Sequence, residues 1–335
     1  MKIAVIGAGA IGGLVAGYLK LKGQEVSLVG HPDSVSAIKK SGLSISGVRG
    51  KFNLQIEIFP QLNYYPELVI LCTKTQGLET VFRGNREFFK GSKILTSQNG
   101  IQADEIVSRY VPKEDIISSI VMFGATHLEP AKVVHNFEGG WIIGKIFSPN
   151  DAGVNELAGL LNQIFPTSVS ENLRGMKILK IFVNANNCLP AILGTSMQEA
   201  FSDPQISRIS MAIWKEGLKV VNASGIMLLS LPDFPLERLT KLTSLPLEEA
   251  GKIFSGIMQN LSKEPLYGSI LQSIKRGRLS EIDYINGEFV NLAKNHNSSA
   301  PLNEKLVELV HQVEKSKKFF TPGELLEQTE GLIHG

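Results

Sequence analysis

The stretch "MKIAVIGAGAIGGLVAGYL", residues 1–19, decides the fold of the N-terminal part of this chain. Its apolar run "IAVI" is typical of a buried parallel strand. The segment "GAGAIG" follows at once and has the spacing G-x-G-x-x-G. In a strand–loop–helix unit the first glycine permits a tight turn, the second lets the backbone approach a pyrophosphate, and the third lets the helix pack on the strand. The stretch therefore predicts a dinucleotide site at a helix N-terminus; a Gly-rich turn in an unrelated α/β fold is the alternative.

Strands and helices alternate outward from this unit to about residue 165. Further apolar strands are predicted within 25–30, 67–74, 92–100 and 115–125. Two hairpins are predicted, one over 43–59 and one over 126–146 with "EGG" as its turn. This alternation predicts an α/β fold: a Rossmann-type doubly wound sheet with an antiparallel extension.

The second half has helical periodicity throughout and is punctuated by prolines. The helices predicted there include 172–193, 264–276 and 281–296. The 335 residues fit two domains. We therefore predict a dinucleotide-binding domain over 1–167 and an all-helical substrate and catalytic domain over 168–335.

The composition is ordinary for a globular protein, with 43% hydrophobic and 20% charged residues. A net charge of +2 gives no indication of a nucleic-acid or membrane partner. Cys72 and Cys188 lie in apolar stretches and favour buried free thiols in a reducing cytoplasm. The histidines show no metal-ligand spacing, so no metal is predicted. A homodimer is the default expectation for the oligomeric state.

The end of the second strand bears on the choice of cofactor. NAD-binding proteins carry an acidic residue there, which holds the ribose hydroxyls. Here Gly30 and His31 follow the strand, and Asp33 lies slightly beyond. The pattern favours NADP(H), with His31 as a partner for the extra phosphate. An exposed loop histidine without a role is the alternative.

The stretch "KILKIFVNANNCLP", residues 177–190, is apolar on almost every side but carries two lysines. A buried ammonium is costly unless it is paired, so a lysine here suggests a cleft with a nearby carboxylate. Lys180 and Asn184 lie one turn apart, and Asn187 and Cys188 extend the same stripe. Lys177 lies near this face, so periodicity alone does not choose between the lysines. In the alternative, both lysines reach solvent.

Four motifs in order along the chain resemble the ketopantoate reductases (2-dehydropantoate 2-reductases). They are Lys180 with "NA" at 184–185, "LCTK" at 71–74, "SQNG" at 97–100 and the block "YGSILQSIKRGRLSEIDYINGEFV" at 267–290. The last block is the most specific. The resemblance implies NADPH-dependent reduction of ketopantoate to pantoate, a step toward pantothenate and coenzyme A. It also implies a C-terminal domain like that of 6-phosphogluconate dehydrogenase.

The resemblance assigns roles to individual residues. Lys180 matches the catalytic lysine and general acid, and Glu281 matches a glutamate near the lysine and the cofactor. The residues matched to substrate binding are Asn99, Asn184, Ser269 and, as a substitute, Asn187. The residues matched to cofactor binding are Gly7, Ala8, Gly9, Ala10, Ile11, Gly12, His31, Lys74, Asn99, Ala125 and Glu281. In this scheme Lys177→Ala has little effect on turnover.

The sequence departs from the family at two positions. Cys188 stands where a second asparagine is usual, and His31 stands where an arginine is usual. The same fold acting on another branched or hydroxylated 2-keto acid is therefore a second hypothesis, and a non-catalytic NADP(H) sensor is a third.

Each matched residue also has a structural alternative. Glu281 could have the purely structural role of favouring a helix start that Ser280 caps, and Ser269 could simply cap a helix. Asn99 could only form a turn with Gly100, and Lys74 could be a solvated loop lysine.

Overall fold

The computed structural model of the protein describes residues 1–262 and 264–333. Clustering of contacts divides the chain into two compact units, Met1–Arg174 and Gly175–Gly335.

The first unit contains all twelve strands found in the described residues. They are β1 Ile3–Ile6, β2 Val26–Val29, β3 Leu43–Gly47, β4 Phe52–Leu54, β5 Glu57–Phe59, β6 Leu68–Leu71, β7 Lys93–Thr96, β8 Ile116–Val121, β9 Gly124–Glu129, β10 Lys132–Phe137, β11 Trp141–Gly144 and β12 Thr167–Val169. Its helices are α1 Ala10–Leu21, α2 Pro32–Ser41, α3 Leu78–Asn85, α4 Gln102–Val107 and α5 Ala152–Leu161.

Eight strands form one sheet in the order β12-β11-β8-β7-β6-β1-β2-β5. All its pairings are parallel except β11 with β8. Counted along the chain, the parallel strands β5-β2-β1-β6-β7-β8 have the order 3-2-1-4-5-6 of a doubly wound dinucleotide-binding sheet. Strands β1, β2 and β6 are buried along their whole length because hydrophobic clusters cover both faces of the sheet. The predicted fold class is confirmed.

A second sheet has the order β4-β3-β10-β9 and corrects both predicted hairpins. In the first, β3 pairs with β4 as predicted, but Glu57–Phe59 belongs to the large sheet, where it pairs with β2. In the second, β9 pairs with β10, so the turn lies at Pro130 and Ala131. The predicted "EGG" turn instead connects β10 to β11, strands of different sheets. The local alternation of residues does not distinguish these partners.

The strand β12 lies where the sequence analysis places the domain boundary. Thr167–Val169 pairs in parallel with Trp141–Ile143 at the edge of the large sheet. These hydrogen bonds hold the segment in the first unit, and the division follows Arg174 rather than residue 167.

The second unit is helical. The helix α6, Leu173–Ala185, begins just before it, and the following helices are α7 Cys188–Leu193, α8 Met197–Ser202, α9 Pro204–Ala223, α10 Leu236–Ser244, α11 Leu247–Gln259, α12 Ser269–Lys275, α13 Asn286–Asn295, α14 Pro301–Ser316 and α15 Pro322–Thr329. The long helix α9 packs against α8, α11, α13 and α14. The sequence predicts three helices in this part of the chain that are longer than the observed ones: 172–193, 264–276 and 281–296.

The predicted helix over 172–193 is broken at Asn186 and Asn187. Pro190 has no N–H to donate to the carbonyl of Asn186, and its ring crowds that carbonyl. The indole N–H of Trp214 also donates to the carbonyl of Phe182 at 2.7 Å, which competes for an acceptor of the last turn. The lysine-bearing segment α6 therefore ends at Ala185.

The other two corrections concern the starts of α12 and α13. The helix predicted over 264–276 begins only at Ser269, with Gly268 before it. The helix predicted over 281–296 begins at Asn286 and is preceded by a single 3₁₀ turn, Ile282–Tyr284. Glu281 thus lies in a turn rather than in the first turn of a long helix.

Candidate functional site

The glycine-rich loop sits between the ends of β1 and β6, where the strand order of the large sheet reverses. Gly7 has φ +113°, and a Cβ on it would lie 2.7 Å from the backbone of Cys72 and of Thr73. A Cβ on Gly12 would lie 1.9 Å from the carbonyl oxygen of Gly7. Both positions therefore require glycine for the packing of the protein itself.

Gly9 is different, because nothing in the protein lies within 4 Å of the position that its Cβ would take. Its backbone (φ −92°, ψ −155°) is one that any residue can adopt. Gly9 precedes the first residue of α1, and the first turn of this helix carries no acidic residue. An open approach to the N-terminus of this helix fits a bound phosphate group.

The end of β2 has the arrangement that the sequence suggests. Val29 ends the strand, Gly30 follows, and His31 precedes the first residue of α2 as an exposed residue. Asp33 lies in the first turn of α2. No carboxylate therefore occupies the tip of the strand itself.

Lys74 and Asn99 lie just beyond the ends of the neighbouring strands β6 and β7, and both are half-buried. Lys74 precedes a 3₁₀ turn over Thr75–Gly77, and Asn99 precedes Gly100, which has φ +75°. Ala125 lies in the second sheet, where it pairs with His135. The chain bends at Asn99 and Gly100, so the structural alternative for Asn99 stays open.

The two lysines of α6 are both withdrawn from water. Lys177 is only 2% exposed, and Lys180 is half-buried. Burial and, second, the ammonium group of Lys177 lower the pKa of Lys180 from 10.5 to about 8. The alternative in which both lysines reach solvent is wrong for Lys177. The ammonium of Lys177 contributes to the lowered pKa of Lys180, and the small effect expected of Lys177→Ala on turnover stays a prediction.

Asn184 is half-buried one turn after Lys180, in the last turn of α6. Asn187 is half-buried in the break before α7, and a Cβ added to Gly268 would lie 3.1 Å from its side chain. Ser269, the next residue, is exposed at the start of α12 and does not cap it. Cys188 is fully buried, and burial raises the pKa of its thiol. The break thus places the side chain of Asn187 beside Gly268, the residue before Ser269, whereas Cys188 is buried.

The turn that carries Glu281 is hydrogen-bonded to α14. The backbone N–H of Ser280 donates to Glu314 Oε1 at 2.7 Å, and Glu314 is buried. His311 lies 2.9 Å from Glu314 Oε2 through Nδ1 and 2.9 Å from Asp283 Oδ1 through Nε2. We call His311, Glu314 and Asp283 the histidine clasp. Sequence reasoning missed it, because Ser280 and Glu314 are 34 positions apart.

The clasp predicts a pH-dependent stability. Burial lowers the pKa of His311, but the hydrogen bonds to Asp283 and Glu314 outweigh burial and raise it above 6.5. The stabilisation is therefore complete below pH 6.5 and is lost as the pH rises through the folded-state pKa. His311 is 44% exposed, so solvent screening keeps the effect at about 1 kcal/mol or less. Thermal unfolding at pH 6 and pH 9 measures it.

We expect His311→Gln to lower Tm at pH 6 and to match the wild type at pH 9. His296→Gln, at an exposed histidine, is the control. An equal loss of stability at both pH values would contradict a charged clasp.

Among the residues that the structure describes, no group of three or more His, Cys, Asp or Glu residues could hold a metal ion. His334, one of the histidines surveyed in the sequence, lies outside the described residues. No helix in the same part of the chain is long and apolar enough to cross a membrane.

The strand order, the glycine loop and the helical second unit define a dehydrogenase-like protein with a Rossmann-type domain. Comparison with family models narrows the class. The ketopantoate reductase PanE/ApbA model matches residues 3–147, and the model of its C-terminal part matches residues 172–314. The chain belongs to the ketopantoate reductase family, an oxidoreductase family.

Individual relatives agree with this assignment. The chain is 32% identical over 315 residues to the 2-dehydropantoate 2-reductase of Pyrococcus horikoshii, with 92% of this chain and 96% of the relative covered. It is 31% identical to that of Pyrococcus abyssi over 90% of this chain and 94% of the relative. Among solved structures, D-mandelate dehydrogenase with NADH and anilino(oxo)acetate has a TM-score of 0.82 at 27% identity, with 94% of this chain and 99% of that chain covered.

Proposed function

We propose that the protein reduces 2-dehydropantoate to pantoate with NADPH, as a cytoplasmic enzyme of pantothenate and coenzyme A biosynthesis. The observation that carries the proposal is the state of Lys180, an ammonium withdrawn from water with a pKa of about 8. A general acid works best when its pKa lies near the working pH. The free thiols of Cys72 and Cys188 support a reducing compartment.

The residues of the first unit fit a nicotinamide dinucleotide. The approach to Gly9 is open, and the N-terminus of α1 behind it favours the negative charge of a pyrophosphate. Gly30 stands at the tip of β2, where a carboxylate would repel an added phosphate, and His31 beside it offers a hydrogen-bond partner. When bound, the reduced cofactor supplies the hydride. Lys74 and Asn99 are proposed to contact its nicotinamide end, and Ala125 to complete the cofactor contacts.

In the proposed reaction the ketone carbon of the substrate accepts a hydride, and its oxygen accepts a proton from Nζ of Lys180. Lys180 then takes up a proton from solvent, so that one ketone, one NADPH and one proton would give one alcohol and one NADP⁺. Before proton transfer, the ammonium also stabilises the charge that develops on the oxygen. Glu281 is proposed to orient this ammonium, and the clasp supports the turn that carries Glu281.

The proposed substrate contacts come from neutral polar side chains. Asn184 and Asn99 provide amide donors and acceptors, and Ser269 provides a hydroxyl for the substrate carboxylate. Asn187 is proposed to take the place of the usual second asparagine. Its half-buried position next to Gly268 supports this, whereas Cys188 is fully buried.

A second candidate is a related 2-keto acid with NADH as the reductant. The similarity to D-mandelate dehydrogenase, a protein solved with NADH, favours it, as does the departure at Cys188. A sensor that binds the cofactor without turnover is the third possibility. The lowered pKa of Lys180 argues against it, because binding alone does not need a proton donor.

Steady-state assays separate the three. We expect oxidation of NADPH with ketopantoate, at a kcat/KM at least tenfold above that with phenylglyoxylate, the keto acid that corresponds to mandelate. A preference for phenylglyoxylate with NADH would support the second candidate. Tight cofactor binding without turnover of either acid would support the sensor. The homodimer remains a prediction that sedimentation can test.

A further inference from the structure

The side chains of Ser97 and Gln98 both link the segment carrying Asn99 to the segment carrying Lys74. Ser97 Oγ donates to the carbonyl of Leu71 at 2.8 Å. Gln98 extends this link to Thr73, the residue next to Lys74. Its Nε2 donates to the carbonyl of Leu71 at 2.9 Å and to the carbonyl of Thr73 at 2.8 Å. Its Oε1 accepts the backbone N–H of Ser97 at 3.1 Å. The side chain is only 5% exposed. Both amide hydrogens and the amide oxygen are therefore used inside the protein.

The two carbonyls that accept from Gln98 lie at the end of β6, next to Lys74. Leu71 is the last residue of β6, and Thr73 directly precedes Lys74. On the other side of this segment, the backbone of Cys72 and Thr73 is what a Cβ on Gly7 would touch at 2.7 Å. The segment 72–74 is thus held between the glycine loop and the amide of Gln98.

We infer that Gln98 is a positioning residue for the cofactor site, because its amide holds the segments of Lys74 and Asn99 at a fixed separation beside the glycine loop. The inference rests on the proposed function for the identity of the ligand. Gln98 itself needs no contact with the cofactor. It acts through the backbone at Leu71 and Thr73, and through Asn99, its neighbour in sequence.

An amide suits this task better than any other side chain of its size. The two carbonyls are acceptors, so the clamp needs two donors from one atom, while the N–H of Ser97 needs an acceptor on the other atom. A carboxylate at this position would face two carbonyl oxygens with no hydrogen to share. A buried acceptor left without a donor is costly, so the segment would move.

The test uses the full-length protein with three substitutions. Gln98→Glu keeps the shape and the acceptor but removes both donors, and Gln98→Met keeps the packing but removes all hydrogen bonds. Gln61→Glu makes the same change of charge at an exposed glutamine of the same unit and is the control. The measurements are the Kd for NADPH by fluorescence titration, kcat with saturating NADPH, Tm, and hydrogen–deuterium exchange of a peptide covering 72–77.

We expect Gln98→Glu at pH 8 to raise the Kd for NADPH about tenfold or more, with faster exchange in 72–77. Gln98→Met should show the same changes to a smaller degree, and Gln61→Glu should show none. In Gln98→Glu, acidification should restore part of the affinity, since a protonated carboxyl has one O–H to donate. A merely structural role would lower Tm in both variants without this recovery.

Two outcomes overturn the inference. One is a Kd for NADPH within twofold of the wild type in both Gln98 variants, with unchanged exchange in 72–77. The other is a raised Kd that follows only the loss of Tm and does not recover on acidification. If the wild-type protein binds neither NADPH nor NADH, the proposed function fails. The exchange experiment then still decides whether the clamp holds the segment.

Discussion

Replacement of Lys180 by alanine is expected to lower kcat for keto-acid reduction about 10²-fold or more. Nothing else in the proposed mechanism donates the proton, and the developing charge on the ketone oxygen would lose its ammonium partner. The Kd for NADPH should stay within twofold of the wild type, because Lys180 is not among the residues proposed to bind it and all of those except Glu281 belong to the first unit. Steady-state turnover together with fluorescence titration measures both quantities.

Lys177 supplies the sharper control. Lys180 acts in its protonated form, so activity should fall as the pH rises through its pKa of about 8. Lys177→Met removes a neighbouring positive charge from α6 and should raise the pKa of Lys180. The falling limb of the pH–kcat profile should then move to higher pH. Lys219→Met, at an exposed position of α9, should leave the limb in place.

If the falling limb of the pH–kcat profile stays at the same pH in Lys177→Met, then Lys177 does not lower the pKa of Lys180. A loss of activity in Lys177→Met as large as that in Lys180→Ala, with Lys180→Ala nearly active, would mean that the two lysines have exchanged roles. The resemblance to the family would then have chosen the wrong lysine.

Much of the first unit could be predicted because its signals are local. The glycine loop directly follows an apolar strand, and β2 and β6 are likewise short, mostly apolar runs that require two covered faces. Pairing between distant segments could not be predicted. Residues 57–59 alternate as a hairpin strand would, yet they pair with β2, because nothing in the alternation identifies the partner.

The candidate site shows the same division between local and distant information. Helical periodicity places Lys177 near the face of Lys180, but it does not report depth, and the 2% exposure of Lys177 depends on how its neighbours pack. The carbonyls that Gln98 binds and the Asp283 carboxylate that His311 binds lie more than twenty positions away in sequence. For Gln98 a signal existed: a polar residue directly after an apolar strand, inside the motif "SQNG". The clasp had no comparable signal.

The glycine loop allows a clean separation of folding from binding. We expect Gly9→Val to leave Tm almost unchanged but to raise the Kd for NADPH on the order of 10²-fold, with Gly9→Ala intermediate. The backbone at Gly9 is extended, and apart from its two neighbours in sequence no atom of the protein lies within 4 Å of the added Cβ. Only a ligand close to this backbone would meet the new side chain. Differential scanning fluorimetry and fluorescence titration measure the two effects.

Gly12→Ala should behave in the opposite way. Its Cβ would lie 1.9 Å from the carbonyl oxygen of Gly7, so α1 or the loop must shift, at a cost of about 1–3 kcal/mol of stability or more. Gly159→Ala, on an exposed face of α5 with open space around it, controls for the general effect of alanine in a helix and should alter neither quantity adversely. Wild-type affinity in Gly9→Val would show that no phosphate approaches this loop, since a valine side chain there leaves no room for one. Lost stability in Gly9→Val would instead mean that the open side of the loop is needed by the fold itself.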